Sequence, residues 1–526
     1  MSIDDDDDEE EDTIFALSSA ASVSGAVTAV AVFRISGPQA HHVLYQLTQR
    51  TQLPTPRRAT LCQLYDCTAS TSKSSMPVLD QALVLYFPGP KSFTGQDMVE
   101  LHCHGSRAVL TDVVDVLASF PHCRYAEPGE FTQRAYRNNK LDVLQIEALG
   151  DLLTADTTLQ RRQALLQLDG VLSKTYQDWR ETLIAALAHA EAVIDFGDDE
   201  YLDGLDDNDD DEEDSGQWAI WGNVITNIQN LQHSMEQQLN DARRGELVRE
   251  GLQIAILGPP NAGKSTLFNL LAKRNVAIVS DIAGTTRDVL EISLNLQGMK
   301  CCLQDTAGIR TSTEDAIELE GIQRATAAAS QADIVIAMVD ITQQEQGLEI
   351  LQNLLLIDDK DSTQEDPDDG LASQRVDPSN VLLVLNKSDL REETTSDTSA
   401  ATTNFGIAGV VEMSCANQDG VDVFLDTLTD TVLSRVASST EDHVGVADAD
   451  ANTPSSLITR ARHRQHVVAA VEALERFQTL APQGSMSVDM AAEELRLAAS
   501  ELGRITGAVD VEDVLDKLFA DFCIGK

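Results

Sequence analysis

The chain has 526 residues, enough for about three domains, and sets 38 Lys+Arg against 86 Asp+Glu for a formal net charge of −48. Acid on that scale excludes nucleic-acid binding through overall charge, and no apolar run approaches the roughly 20 residues that a membrane-spanning helix requires. Its 8 cysteines, at positions 62, 67, 103, 123, 301, 302, 415 and 523, form no regular framework and point to a reducing compartment.

The first segment, residues 1–12, reads as an acidic disordered tail, the opposite of a basic organellar transit peptide. Residues 13–140 mix β-rich runs, at 30–35 and 82–87, with a helical stretch at 107–117, the pattern of an α+β domain. Residues 141–248 turn helical. Tyr176, Trp179, Leu183 and Leu187 fall on one face, and Trp221, Val224, Ile228, Leu231, Met235 and Leu239 mark a second amphipathic helix. The acidic stretch between them, 195–214, reads as solvated, and within it 203–211 lacks the alternating ligands, central glycine and closing glutamate at the fixed offsets of a calcium loop.

Residues 249–434 read as an α/β nucleotide unit with a doubly wound, mixed sheet, and acidic residues at 358–369 mark a loop within it. Residues 435–526 open on an acidic linker and return to helical periodicity at 458–480 and through Leu495, Leu502 and Ile505. Helices on both sides predict an α/β unit inserted into an α-helical domain. Local basic patches occur at Arg161 and Arg162 and at Arg460, Arg462, His463 and Arg464, each either an RNA contact or a solvated helix face.

The chemistry is concentrated in the inserted unit. Gly258-Pro259-Pro260-Asn261-Ala262-Gly263-Lys264-Ser265 follows the apolar run at 254–257 and leads into Thr266. This spacing makes a phosphate loop: the glycines let backbone N–H groups surround phosphate oxygens, Lys264 reaches the outer phosphates and Ser265 can hold magnesium. Asp305-Thr306-Ala307-Gly308 supplies a carboxylate for the magnesium shell and an N–H beside the terminal phosphate. Asn386-Lys387-Ser388-Asp389 supplies a carboxylate that accepts both N1–H and the exocyclic amine of guanine, and Ser414-Cys415-Ala416 completes the set. Four fragments in this order predict a GTPase.

Beyond that unit, Asp12-Thr13-Ile14-Phe15-Ala16, Phe33-Arg34-Ile35-Ser36-Gly37, Phe93-Thr94-Gly95-Gln96-Asp97 and Glu100-Leu101-His102-Cys103-His104-Gly105 follow one another in order. Pro128-Gly129-Glu130-Phe131-Thr132, Asn139-Lys140-Leu141 and the final Phe522-Cys523-Ile524-Gly525-Lys526 continue the series. Across nearly its whole length the chain resembles the MnmE (TrmE) family of tRNA-modification GTPases and their mitochondrial counterparts. The resemblance implies a first switch and potassium loop at Ser280-Asp281-Ile282-Ala283-Gly284-Thr285-Thr286. Thr286 would join Ser265 on magnesium, and Asn261 with groups at Ser280, Ile282 and Thr285 would bind potassium beside the phosphates. Glu318 aligns with the family's water-orienting acid.

The resemblance further implies a folate-binding-like amino-terminal domain in which Arg34, Glu100, Lys140 and Lys526 hold a tetrahydrofolate derivative. The loop at 20–27 departs from the family's glycine-rich pattern, and Cys523 is the candidate nucleophile on the base. The implied reaction modifies carbon 5 of a wobble uridine in tRNA, with an MnmG-type flavoprotein partner carrying FAD. A homodimer through the amino-terminal domain and potassium-dependent pairing of GTPase domains are implied too. Mitochondrial location follows by resemblance, with cytoplasm or plastid as alternatives. Two rival readings are a ribosome-assembly GTPase and a regulatory switch without modification chemistry.

Overall fold

A computed structural model describes residues 12–19, 28–68, 76–197, 215–278, 290–305, 328–344, 346–349, 377–391, 407–437, 458–483, 487–509, 512–522 and 524–525. By internal contacts the chain divides into two units: Met1–Gly150, Gln167–Arg180 and Leu502–Lys526 make one, Asp151–Leu166 and Glu181–Glu501 the other.

The first unit is built on a six-stranded sheet in the order β3-β4-β5-β2-β1-β6. Its strands are β1 (Thr13–Leu17), β2 (Thr28–Ser36), β3 (Thr60–Tyr65), β4 (Val78–Phe87), β5 (Met98–Gly105) and β6 (Cys123–Tyr125). Because successive side chains point to opposite faces, Phe15, Phe33, Ile35, Val84 and Leu101 share one face, closed by Leu44 and Leu47 of α1 (Ala40–Thr48) and Val113 and Leu117 of α2 (Arg107–Ala118). The helix α2 starts where it does because the Ser106 side chain accepts from the Val109 N–H. Ile14 and Ala16 turn to the other face, where Phe131 of α3 (Glu130–Arg137) and Phe93 cover them. In α4 (Val143–Thr154), Val143 and Ile146 pack with Leu515, Phe519 and Phe522, the first two of which lie on α12 (Glu512–Asp521).

A seven-stranded sheet, ordered β13-β12-β11-β7-β10-β9-β8, forms the heart of the second unit. Its strands are β7 (Leu252–Leu257), β8 (Ala277–Ile278), β9 (Leu290–Leu296), β10 (Met299–Asp305), β11 (Ile334–Asp340), β12 (Val381–Asn386) and β13 (Gly409–Glu412). The strands β7, β10, β11, β12 and β13 run parallel, while β9 and β8 join antiparallel at one edge, so the sheet is mixed as its sequence predicts. Continuous apolar runs such as Val-Leu-Leu-Val-Leu in β12 suit strands buried on both faces. Phe268 and Leu271 of α8 (Lys264–Ala272) and Phe424 and Leu428 of α9 (Val421–Ala437) cover one face.

In chain order this sheet lies between α7 (Ser215–Glu250) and α10 (Ala461–Leu480), and the two helices pack on each other. Trp221 stands edge-on to Phe477, ring centroids 5.8 Å apart, and its indole N–H donates to the Ala481 carbonyl at 3.0 Å. Further helices among the described residues are α5 (Thr158–Leu168), α6 (Val171–Gly197) and α11 (Val488–Thr506). Tyr176, Trp179 and Leu183 on α6, and Leu495, Leu502 and Ile505 on α11, are buried, as the helical spacing predicts. Among the described residues no helix is long and apolar enough to cross a membrane.

Candidate functional sites

β7 lies between β11 on one side and β10 on the other. Connections that leave a central strand in opposite directions open a crevice beyond its carboxyl end, and the phosphate loop begins there. At Gly258, φ is +152° and a Cβ would stand 2.1 Å from the Met338 carbonyl oxygen, so a side chain cannot be accommodated without moving β11. Asn261 takes the left-handed region, φ +63°. Gly263, φ +105°, opens α8, whose first-turn amides lack intrahelical acceptors and carry the positive end of the helix dipole. Lys264 folds back over the loop and donates to the carbonyls of Gly258 at 2.8 Å and Pro259 at 2.9 Å. Ser265 and Thr266 are exposed on the same turn. Asp305 ends β10 with its backbone paired to Ile256, next to the loop.

Asn386, at the end of β12, is 2 % exposed and ties two loops together. Its amide donates to the Ala262 carbonyl at 2.8 Å, and its oxygen accepts the Cys415 N–H at 3.0 Å. Asp389 accepts the Ser414 hydroxyl at 2.5 Å, and that hydroxyl in turn accepts the Ala416 N–H at 3.3 Å. The Asp389 carboxylate is otherwise exposed. Lys387, φ +65°, reaches Asp340 at the end of β11, 2.6 Å away. Burial pushes the Asp340 carboxyl up, but the Lys387 ammonium and the Thr342 hydroxyl and N–H outweigh it and hold the carboxyl below its usual range.

On the face of the amino-terminal sheet that carries Ile14 and Ala16, Arg34 and Glu100 are register partners of β2 and β5. The Arg34 Nε donates to Glu100 Oε1 at 3.0 Å, and its guanidinium lies 5.9 Å from the Phe93 ring centre. His102 Nε2 sits 3.6 Å from Glu100 Oε2, too far for a hydrogen bond, and is buried without a partner. Lys140 is exposed, with its Cε alongside Gly95. Ile524 bridges Pro128, and the Ser18 hydroxyl donates to the Gly525 carbonyl at 3.1 Å, so the final motif is anchored beside β1.

Sequence models of two domains match the chain: the MnmE helical domain over residues 143–523 and the GTP-binding protein TrmE N-terminus over residues 13–140. The tRNA modification GTPase MnmE of Parvibaculum lavamentivorans is 41% identical over 518 residues, covering 98% of this chain and 100% of that protein. The chain belongs to the MnmE (TrmE) family of tRNA-modification GTPases. Another MnmE-family relative is the 5-taurinomethyluridine-[tRNA] synthase subunit GTPB3, mitochondrial, of Danio rerio, 39% identical over 524 residues, covering 98% of this chain and 93% of that protein. Its Homo sapiens counterpart is 40% identical over 514 residues with the same two coverages, 98% and 93%. Among solved structures, the G domain of the T. maritima FeoB iron transporter aligns over 34% of this chain and 98% of its own, with TM-score 0.25 and 22% identity, too slight a likeness to bear on function.

The site residues expected of an MnmE-type chain fall into three groups. Asn261, Ala262, Gly263, Lys264, Ser265, Thr266, Asp305, Asn386, Lys387, Ser388, Asp389, Ser414, Cys415 and Ala416 lie at the carboxyl ends of β7, β10, β12 and β13, on the last strand residues, the turns that follow them or the first turn of α8. Arg34 and Glu100 meet on one sheet face, where Phe93 contacts Arg34 and Lys140 lies beside Gly95 of the same loop. Residues 280–286 and 306–308, Glu318, Cys523 and Lys526 lie outside the described residues, as does the loop at 20–27.

The basic cluster at 460–464 is largely neutralised. Arg460 and Arg249 both bond Asp151 Oδ1, at 2.9 and 3.0 Å, and Arg464 bonds the buried Glu246 at 2.8 Å. Residues absent from the sequence expectation are Asp340, which fixes Lys387, and Phe93, which faces Arg34. Phe93 stands inside the motif Phe93-Thr94-Gly95-Gln96-Asp97, which marks its position but not its partner.

Proposed function

We propose that this chain binds and hydrolyses GTP as one component of a tRNA-modifying assembly acting on carbon 5 of the wobble uridine. The observation that carries the reading is the Asn386 tie, which fixes the phosphate loop at Ala262 and the base loop at Cys415 through one buried side chain. A single spacing between a phosphate cradle and a carboxylate suits one guanine nucleotide. Asp389, oriented by Ser414, would accept N1–H and the exocyclic amine of guanine, an arrangement adenine cannot satisfy. Lys264 and the first-turn amides of α8 would hold the phosphates. Ser265, with Thr286 and the carboxylate of Asp305, fits a magnesium shell by donor chemistry, since all three are oxygen ligands. Asn261, Ser280, Ile282 and Thr285 would hold potassium, and Glu318 would orient the attacking water. Cation charge beside the phosphates supplies transition-state stabilisation.

Arg34, Glu100, Lys140 and Lys526 would hold a tetrahydrofolate derivative: cationic side chains match its carboxylates and Glu100 its pterin donors. The buried Nε2 of His102, 3.6 Å from Glu100 Oε2 and without a hydrogen-bond partner, marks hydrogen-bonding capacity on this face that protein groups leave unused. Cys523 would act on the base. Redox equivalents would come from an MnmG-type flavoprotein, tRNA is the substrate, and a homodimer through the amino-terminal unit with potassium-dependent pairing of the nucleotide units is the working assembly. Mitochondrial relatives support a mitochondrial site of action, bacterial ones a cytoplasmic site. Two measurements test the reading. GTP hydrolysis should be faster in potassium than in sodium, and equal rates defeat the ion assignment. A reduced folate should bind the purified chain; no binding at millimolar ligand leaves a regulatory GTPase.

A further inference from the structure

The helix α3 joins three things that the sequence keeps apart. At its amino end Gly129, φ +72°, lies so close to α12 that a Cβ would meet the Phe519 carbonyl oxygen at 2.5 Å and its Cα at 2.9 Å. One residue earlier, Pro128 pairs with Ile524 of the tail. Along its inner side, Glu130 (7 % exposed) and Arg134 (3 % exposed) bond each other at 3.0 Å, and Arg134 donates to Gln96 at 3.1 Å. Gln96 also accepts from Ser36, whose hydroxyl meets that of the buried Thr94 at 2.7 Å. Past its carboxyl end, Asn138 donates to the Thr94 carbonyl at 2.8 Å and packs against Gly95, φ +83°, just before Lys140.

One short helix therefore holds the tail at one end and the loop at 93–97 at the other. That loop carries Phe93, which faces Arg34. A buried network whose polar members hold one another has few alternative arrangements, so a tilt of α3 disturbs both contacts. We propose that Gly129 and Asn138 are positioning residues that couple the seating of the C-terminal tail to the loop at 93–97, so that the folate-facing surface and the tail assemble together. The surface is taken from the reading above; the coupling is a property of the fold by itself.

Hydrogen exchange of the full chain, followed by mass spectrometry in the absence of any folate, separates the two. Gly129→Ala should speed exchange in residues 519–525, and also in residues 93–97, by roughly tenfold. Asn138→Ala should do the same from the opposite end, loosening the tail that it does not touch. Neither residue belongs to the nucleotide loops, so GTP hydrolysis should match the unaltered chain. Loosening confined to the side of the substitution, in either variant, overturns the coupling. If Gly129→Ala does not fold, Asn138→Ala decides alone. With the probe 5-formyltetrahydrofolate, the unaltered chain should gain protection at both segments. A chain that shows reciprocal loosening but binds no folate upholds the coupling and defeats the folate reading.

Discussion

The guanine selectivity proposed for Asp389 rests on a proton count. Its carboxylate offers acceptors only, with one oxygen held by Ser414. Asp389→Asn replaces an acceptor with a donor, which opposes the amine of guanine but suits a carbonyl at the same ring position. Two charge-assisted hydrogen bonds at about 1.5–3 kcal/mol each imply a loss of GTP affinity of roughly 10²–10⁴-fold. Xanthosine triphosphate should then bind better than GTP; unchanged GTP binding in a competition titration would remove Asp389 from the base site. Glu130 makes a second residue-level case. Burial pushes its carboxyl up, but bonds from Arg124, the Glu127 N–H and Arg134 hold it below its ordinary value of 4.5. A depressed folded value means that the ionised form stabilises the fold: the contribution is complete above the unfolded value and is lost as pH falls through the folded one. Between about pH 6 and pH 3 the urea midpoint should therefore fall further for the unaltered chain than for Glu130→Gln. Parallel declines would refute the assignment. The motif Pro128-Gly129-Glu130 was legible in the sequence, but its Arg124 partner could not be named from it, because Arg124 meets Glu130 only through the turn into α3, whereas Arg134 stands one helical turn along α3 from Glu130.

Elements were more legible than their partners. Apolar runs predicted β7 and β12, and helical spacing predicted α6, α7 and α11, because period and burial follow from local chain geometry. Strand order is a different matter. The register that sets Arg34 opposite Glu100 depends on β2 pairing β5 across 66 residues, and no local pattern encodes it. Likewise the expected basic face at the start of α10 became ion pairs once Asp151 and Glu246 were brought beside it. The α7–α10 contact offers a test at this scale. Trp221→Ala removes a buried ring and its hydrogen bond to Ala481, at a cost of about 3–5 kcal/mol. Trp221→Phe keeps most of the packing and should cost nearer to about 1 kcal/mol. Urea unfolding followed by circular dichroism should rank the two in that order; the same midpoint for both would mean that the ring contributes little to holding α7 and α10.

For the molecule as a whole, the four nucleotide motifs were readable because phosphate and base recognition leave short, ordered signatures at strand ends. The residues of the proposed amino-terminal site were named only through the family resemblance, since Arg34 and Glu100 stand on two different strands and no local pattern joins them to Lys140 or Lys526. The insertion of the nucleotide sheet between α7 and α10 also sets a timetable. Trp221 and Ala481 are 260 residues apart. At about 5–20 residues per second, a ribosome takes on the order of 10–50 s to deliver the second after the first. Throughout that interval the indole has neither its ring partner Phe477 nor its acceptor, while the nucleotide sheet has every strand it needs well before α10 emerges. Synthesis thus favours an order in which the inserted unit folds first and the helices that frame it close last, with α7 as the segment that a nascent-chain chaperone would find waiting.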